Sequence, residues 1–435
     1  MSATAQPSVD VSDRPRGLAP TRQVLPNGVT VIAKETRTTP AVTIYAGLHA
    51  GTIYDPPDIG GVSHFVSKTL DRGTAAYTGD QIAEELDSRG VSLGINVNRH
   101  AISLVCNCLV EDFDDVLGLL AEIVMRPTFP ATEVDTRRGE IITLLKQDAD
   151  NPAVVAAEDL MRLLYGDAHP YGRPTRGTLA SVERIDGPML QQFHAERFLP
   201  GAMSLALVGD IEAQRGIDAA AAAFAGWKAG PLRQPDLPEI PPVHTRRVHL
   251  TPMMNKAQAD VAYGFTTILR ADPRYYAYWL MNNILGQYSL GGRLGETIRE
   301  RQGMAYYAFS SLDANVIPGP LMIRAGVNPS NVERAVASID EELTKLAAEG
   351  PTDRELAESK QYLIGSMPRT LETNIGIATF LQTSEFFGLG LDYDVRVPGL
   401  LQAVTREQVH EVAREALVPS RAIVTVAGPY AGSLQ

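Results

Sequence analysis

Two stretches about 220 residues apart carry the same outline. Ala206-Leu207-Val208-Gly209-Asp210 and Val424-Thr425-Val426-Ala427-Gly428-Pro429 are apolar, strand-like runs that end in glycine. Each follows a helix-like approach, Met189–His194 in one case and Gln408–Ala413 in the other. Further upstream, at the same offset, Pro130-Ala131-Thr132-Glu133 is matched by Pro351-Thr352-Asp353-Arg354-Glu355, and both read as helix openings. A repeat of this length in a chain of 435 residues means a duplicated domain, not a solenoid of small units. Between the copies, residues 230–242 read GPLRQPDLPEIPP, and proline at that density favours an extended, semi-rigid connector. The chain therefore divides into a polar tail (1–20), a first domain (21–229), a connector (230–244) and a second domain (245–435).

The local patterns give both domains an α+β reading. Asn27-Gly28 between alternating runs predicts a hairpin, and Thr78 followed by Gln81 predicts a capping box. Strands are expected over 41–50, 91–97 and 101–110, then helices over 112–125, 132–147 and 152–164. The second copy repeats the scheme, with strands in 257–265 and 305–327 and helices over 273–285, 332–348, 353–367 and 372–386. Strands followed by helical runs predict, in each domain, a mixed and largely antiparallel sheet covered by helices on one face.

Charge removes some function classes. With 39 Lys and Arg against 51 Asp and Glu, the net charge is −12, the wrong sign for a phosphate backbone or an anionic membrane surface. Apolar runs such as Val116–Ala121 are broken by charge well short of a membrane span. The first residues, Met1 to Thr21, are polar and proline-rich and do not read as a secretory signal. The only cysteines, Cys106 and Cys108, share one face of a predicted strand with no second pair to complete a metal site. They read as small core hydrophobes in a reducing compartment. A cytoplasmic location is expected, with a periplasmic one left open.

Residues 60–74 read Gly60-Gly61-Val62-Ser63-His64-Phe65-Val66-Ser67-Lys68-Thr69-Leu70-Asp71-Arg72-Gly73-Thr74. This stretch resembles the H-x-x-E-H signature of the pitrilysin/insulinase zinc metallopeptidases, or inverzincins. The resemblance places His64 at the first zinc ligand, Ser67 where the family has its catalytic Glu, and Lys68 at the second ligand. The third ligand, a Glu about 76 residues further on, falls on Leu144, with Arg138-Gly139 and Asp150-Asn151-Pro152 keeping the register. A catalytic zinc needs three protein ligands and an open position. One imidazole beside an ammonium does not supply them, and a serine without an activator is no general base. No catalytic residue and no metal are expected in this chain, and His64 reads as a packing or capping histidine. A substitute site built from His64, His49 and His100 is the alternative at this point.

The second domain keeps what the first has lost. Leu285–Tyr306 resembles the family's substrate-binding element, with Arg299 and, seven residues later, Tyr306. Gly291 and Gly292 are read as a flexible stretch that lets a substrate backbone approach, and the absence of a following Lys-Ser/Thr argues against a phosphate loop. In the family the arginine holds a substrate carbonyl and the tyrosine supports the tetrahedral intermediate, across a chamber closed by two clamshell halves. The resemblance, from about Leu18 to Gly432, implies half of such a clamshell. It also implies a homologous partner that carries the zinc, an unfolded peptide as substrate, and Arg299 and Tyr306 donated across the interface. A scaffold of the same fold with no peptidase role is the alternative. A homodimer of the isolated chain is left open.

Overall fold

The computed structural model describes residues 17–287 and 292–434. The first sheet contains β1 (Thr21–Val24), β2 (Thr30–Glu35), β3 (Ala41–Leu48), β4 (Gly94–Val97), β5 (Ile102–Leu109) and β6 (Met203–Gly209), in the order β1-β2-β6-β3-β5-β4. The second contains β7 (Arg247–Pro252), β8 (Ala259–Thr266), β9 (Ala305–Leu312), β10 (Pro320–Val327) and β11 (Ile423–Gly428), in the order β7-β11-β8-β10-β9. With β1 set aside, the orders are the same. Each sheet has one parallel pair, β2–β6 or β7–β11, and is otherwise antiparallel.

The helices repeat as well. The first half has α1 (Val62–Thr69), α2 (Gly79–Asp87), α3 (Phe113–Met125), α4 (Ala131–Ala149), α5 (Pro152–Tyr165), α6 (Leu179–Arg184), α7 (Gly187–Arg197) and α8 (Ala213–Ala223). The second has α9 (Tyr275–Asn282), α10 (Val332–Glu349), α11 (Asp353–Thr370), α12 (Asn374–Phe386), α13 (Tyr393–Ala403) and α14 (Arg406–Ala416). Helix α9 runs on into a wide π-turn over Asn283–Gln287, and a second π-helical segment spans Gly295–Arg301.

Local chemistry explains these starts and turns. Gly28, with φ of 104°, turns the chain between β1 and β2, a conformation that costs glycine nothing. Thr78 and Gln81 cap each other at the start of α2, and Thr352 and Glu355 do the same for α11. Asn151 caps α5, with Pro152 in the first turn, where its missing N–H is not needed.

The cover of each sheet is where the fold departs from the sequence reading, which placed helices on one face only. On β3, Val42, Ile44, Ala46 and Leu48 pack into a core with Phe65 of α1, Leu120 of α3 and Ile217 of α8. The opposite face of that sheet is covered by a helix of the second half. Ile377, Ala378 and Leu381 of α12 lie on Ile32, Ala206 and Val208. In return, Ala156, Leu160 and Leu164 of α5 lie on Ala262, Ile423 and Ala427 of the second sheet. The halves therefore exchange helices, and each sheet is covered on both faces. Polar contacts fasten both exchanges. Gln382 Nε2 donates to the carbonyls of Tyr45 (2.6 Å) and Ser204 (3.0 Å), and Thr425 Oγ1 donates to the Ala156 carbonyl at 2.6 Å. Each fully buried Leu or Ile adds about 1.5–3 kcal/mol, so the exchange joins the halves into one stable body.

Candidate functional site

Helix α1 begins where the chain is tightest. Gly61 has φ of 93°, and a Cβ there would come within 2.5 Å of the Arg176 carbonyl oxygen. The buried Asp55 carboxyl accepts the N–H groups of Gly61 (2.7 Å) and Ser63 (3.1 Å), which satisfies donors that a helix start leaves free. Burial pushes this carboxyl up to about 7, against the pull of those hydrogen bonds and of Arg173.

One turn further on, His64 is 8% exposed, and its buried Nε2 has no hydrogen-bond partner among the described residues. Burial pushes the imidazole down to about 4, with Lys68 and Arg176 adding to the shift and Asp148 opposing it, so the ring is neutral at pH 7. The Ser67 hydroxyl donates to the His64 carbonyl at 2.7 Å, so its proton is committed to the helix backbone. Lys68 is exposed. Leu144 is half-buried on α4, the helix that packs along α1. One turn beyond it on the same helix, Asp148 forms an ion pair with Arg176.

These residues do not fit a zinc ion. The four positions offer one neutral imidazole, one hydroxyl, one ammonium and one aliphatic side chain, and Asp148, the carboxylate whose field reaches His64, is paired with Arg176. Among the described residues, no three His, Cys, Asp or Glu side chains come together as a ligand set. The substitute site of His64, His49 and His100 does not form. His49 stacks on Phe386 at 5.1 Å, and His100 Nε2 is 2.6 Å from the Tyr171 hydroxyl. The Asp148–Arg176 pair was not read from the sequence. The only available signal was an acid one helical turn after Leu144, and its partner lies in a distant loop.

The second constellation sits at the edge of the second sheet. Gly303 N donates to the Arg299 carbonyl and Met304 N to that of Ile298, both at 3.1 Å, and this turn leads from the π-helical segment straight into β9. Gly303 takes φ of 60° to make the turn. Tyr306, the second residue of the edge strand β9, is 74% exposed. Arg299 is exposed as well, with only a loose contact of 3.7 Å to Glu300. Their neighbours are tied down. Arg293 forms a two-pronged bond to Glu355 at 2.7 and 2.9 Å, Arg301 pairs with Glu296, and Tyr307 turns to the other strand face and donates to Asp260. Gly292 is buried against Gly286, whose Cα would lie 2.8 Å from an added Cβ, so close backbone packing requires it. Gly291 lies outside the described residues.

Comparison with known proteins adds the following. The family model described as "Insulinase (Peptidase family M16)" matches residues 30–179, and that described as "Peptidase M16 inactive domain" matches residues 184–363. The chain is 25% identical over 409 residues to the "Uncharacterized zinc protease YmxG" of Bacillus subtilis, covering 93% of this chain and 97% of that one. It superposes with a TM-score of 0.89 and 26% identity on a crystal structure of a peptidase M16 inactive domain from Pseudomonas fluorescens, over 96% of this chain and 99% of that one. The periplasmic protease PqqL of Escherichia coli shares the fold, with a TM-score of 0.78 and 16% identity, over 96% of this chain and 48% of PqqL.

Proposed function

The chain belongs to the M16 (insulinase) peptidase family, and we propose that it is a non-catalytic, substrate-binding subunit of a two-chain zinc peptidase. One observation carries this reading. The positions that the family uses for zinc hold His64, Lys68 and Leu144, with an Arg176–Asp148 ion pair on the helix that carries Leu144, while Arg299 and Tyr306 are exposed beside a sheet edge. A homologous partner with an intact H-x-x-E-H would supply zinc and general base. This chain would close over the substrate and present a guanidinium and a phenol to it.

Physical chemistry supports the division. A guanidinium is always charged and suits a peptide carbonyl. A phenol aimed at a developing oxyanion is worth about 3–4 kcal/mol. The exposed edge β9 offers backbone partners for an extended peptide, so an unfolded segment would bind by strand addition.

The test is reconstitution with the homologous subunit from the same cell. Arg299→Ala and Tyr306→Phe should each lower the turnover of the mixed complex about 100-fold or more, with no change in Tm, since both side chains are exposed. Unchanged turnover in both variants would leave this chain a scaffold.

A further inference from the structure

Away from His64, the helix exchange frames a half-open cavity of about 470 Å³ between the halves. One wall is the α12-facing side of the first sheet, with His49 and His100 at one end. The other wall belongs to the second half and includes Arg270, Trp279 and Phe386. Among the described residues, one wall holds a buried cation with no carboxylate partner and the other a buried ring nitrogen with no hydrogen-bond partner.

Arg270 is only 8% exposed. Its guanidinium lies 3.6 Å from the Tyr275 ring centre and donates to the Tyr393 hydroxyl at 2.6 Å. Among the described residues it has no carboxylate partner within ion-pair distance. Arginine is almost never buried without a counter-charge, because an uncompensated buried charge is costly, and rings offset only part of that cost. His100 is 4% exposed, and its Nδ1 is buried without a partner. Nε2 and the Tyr171 hydroxyl share a hydrogen bond of 2.6 Å, in which the phenol can donate when an acceptor draws the ring proton to Nδ1. The cavity also contains an acid, Asp313, whose field reaches Arg99, Tyr171 and Tyr275, but this residue is exposed and forms no ion pair with Arg270 among the described residues.

A buried guanidinium fork, an unpartnered ring nitrogen and flat aromatic walls in a space of this size match one kind of ligand. We propose that the cavity binds an N-acylated aromatic or bulky apolar amino acid with a free carboxylate, the chemistry of a peptide C-terminus. The carboxylate would pair with Arg270, the acyl carbonyl would accept from His100 Nδ1, and the side chain would stack on Trp279 and Phe386. This site does not depend on the peptidase reading, because it involves neither Arg299 nor Tyr306.

Trp279 lines the cavity, so its fluorescence reports binding in a Trp227→Phe background. The probes are N-acetylphenylalanine, its C-terminal amide and phenylacetate. The acid should bind at least about 10-fold more tightly than the amide, which cannot form the charge-assisted pair, and more tightly than phenylacetate, which has no acyl carbonyl. Arg270→Gln should abolish the preference for acid over amide. Where that variant fails to fold, Thr383→Phe decides. Thr383 is exposed and lines the cavity, so a ring there should block binding with Tm unchanged. Equal affinity for acid and amide, or unimpaired binding by folded Thr383→Phe, would overturn the proposal.

Discussion

Leu160→Ala probes the helix exchange directly. Leu160 belongs by sequence to the first half, yet it is fully buried against the second sheet. Its Cδ2 lies 2.8 Å from the point where a Cβ on Gly264 would stand, so β8 has a glycine where the leucine fits. Removing three carbons costs about 2.4 kcal/mol of transfer free energy at about 0.8 kcal/mol per carbon. The floor is a hydrogen-bonded sheet that cannot collapse into the gap, and the cavity left behind raises the cost to about 4 kcal/mol. The chain has two tryptophans, Trp227 packed on the first core and Trp279 on the second, so Trp227→Phe and Trp279→Phe give one reporter per half. In urea, both reporters should show the same midpoint, and Leu160→Ala should lower both together. Gly264→Ala should be tolerated better in the Leu160→Ala background than alone, with a coupling of about 0.5–3 kcal/mol. A shift confined to the Trp227 reporter, with the Trp279 transition unmoved, would refute the exchange.

Asp55 makes a pH prediction. Its folded-state value, about 7, lies above the ordinary carboxyl value, so the folded chain keeps a proton that the unfolded chain releases. The group therefore supports folding at low pH and withdraws that support as pH rises from about 4 to about 7. Asp55→Asn should gain on the natural chain by up to a few kcal/mol between pH 5 and pH 8 in urea titrations, and parallel profiles would contradict this. Cys106 and Cys108 are buried on β5, and burial pushes their thiols up to about 12 and 11. Both should resist a thiol reagent such as DTNB in the native state and react fully in denaturant, whereas rapid native labelling would contradict this core placement.

Much of the fold could be read from the chain because its signals are local. The Asn27-Gly28 turn, the Thr78–Gln81 and Thr352–Glu355 capping boxes and the period-two burial of β3 depend on a few neighbouring residues. The exchange of α5 and α12 could not be read in this way. An apolar stripe such as Ala156, Leu160 and Leu164 has the same period whichever sheet it covers. The missing hairpin partner of β7 is explained in hindsight, since the connector has Pro238 and Pro241 where the first copy has β1, and proline cannot donate to a ladder. At the site, the residue types at 64, 67, 68 and 144 could be read because the motif fixes their spacing. The Asp148–Arg176 pair could not, because Arg176 reaches Asp148 from a separate loop. The cavity at Arg270 was equally hidden, since its walls come from both halves.

On the proposed function, the His64 pocket holds no hydrolytic metal and bond cleavage is powered from another chain. The direct measurement is zinc content and peptide hydrolysis on one sample of the purified chain, incubated with excess zinc and then desalted. The account predicts well under one equivalent of retained zinc and no cleavage until the homologous subunit is added. One equivalent of tightly held zinc, with peptide cleavage by the chain alone that a chelator abolishes, would contradict it.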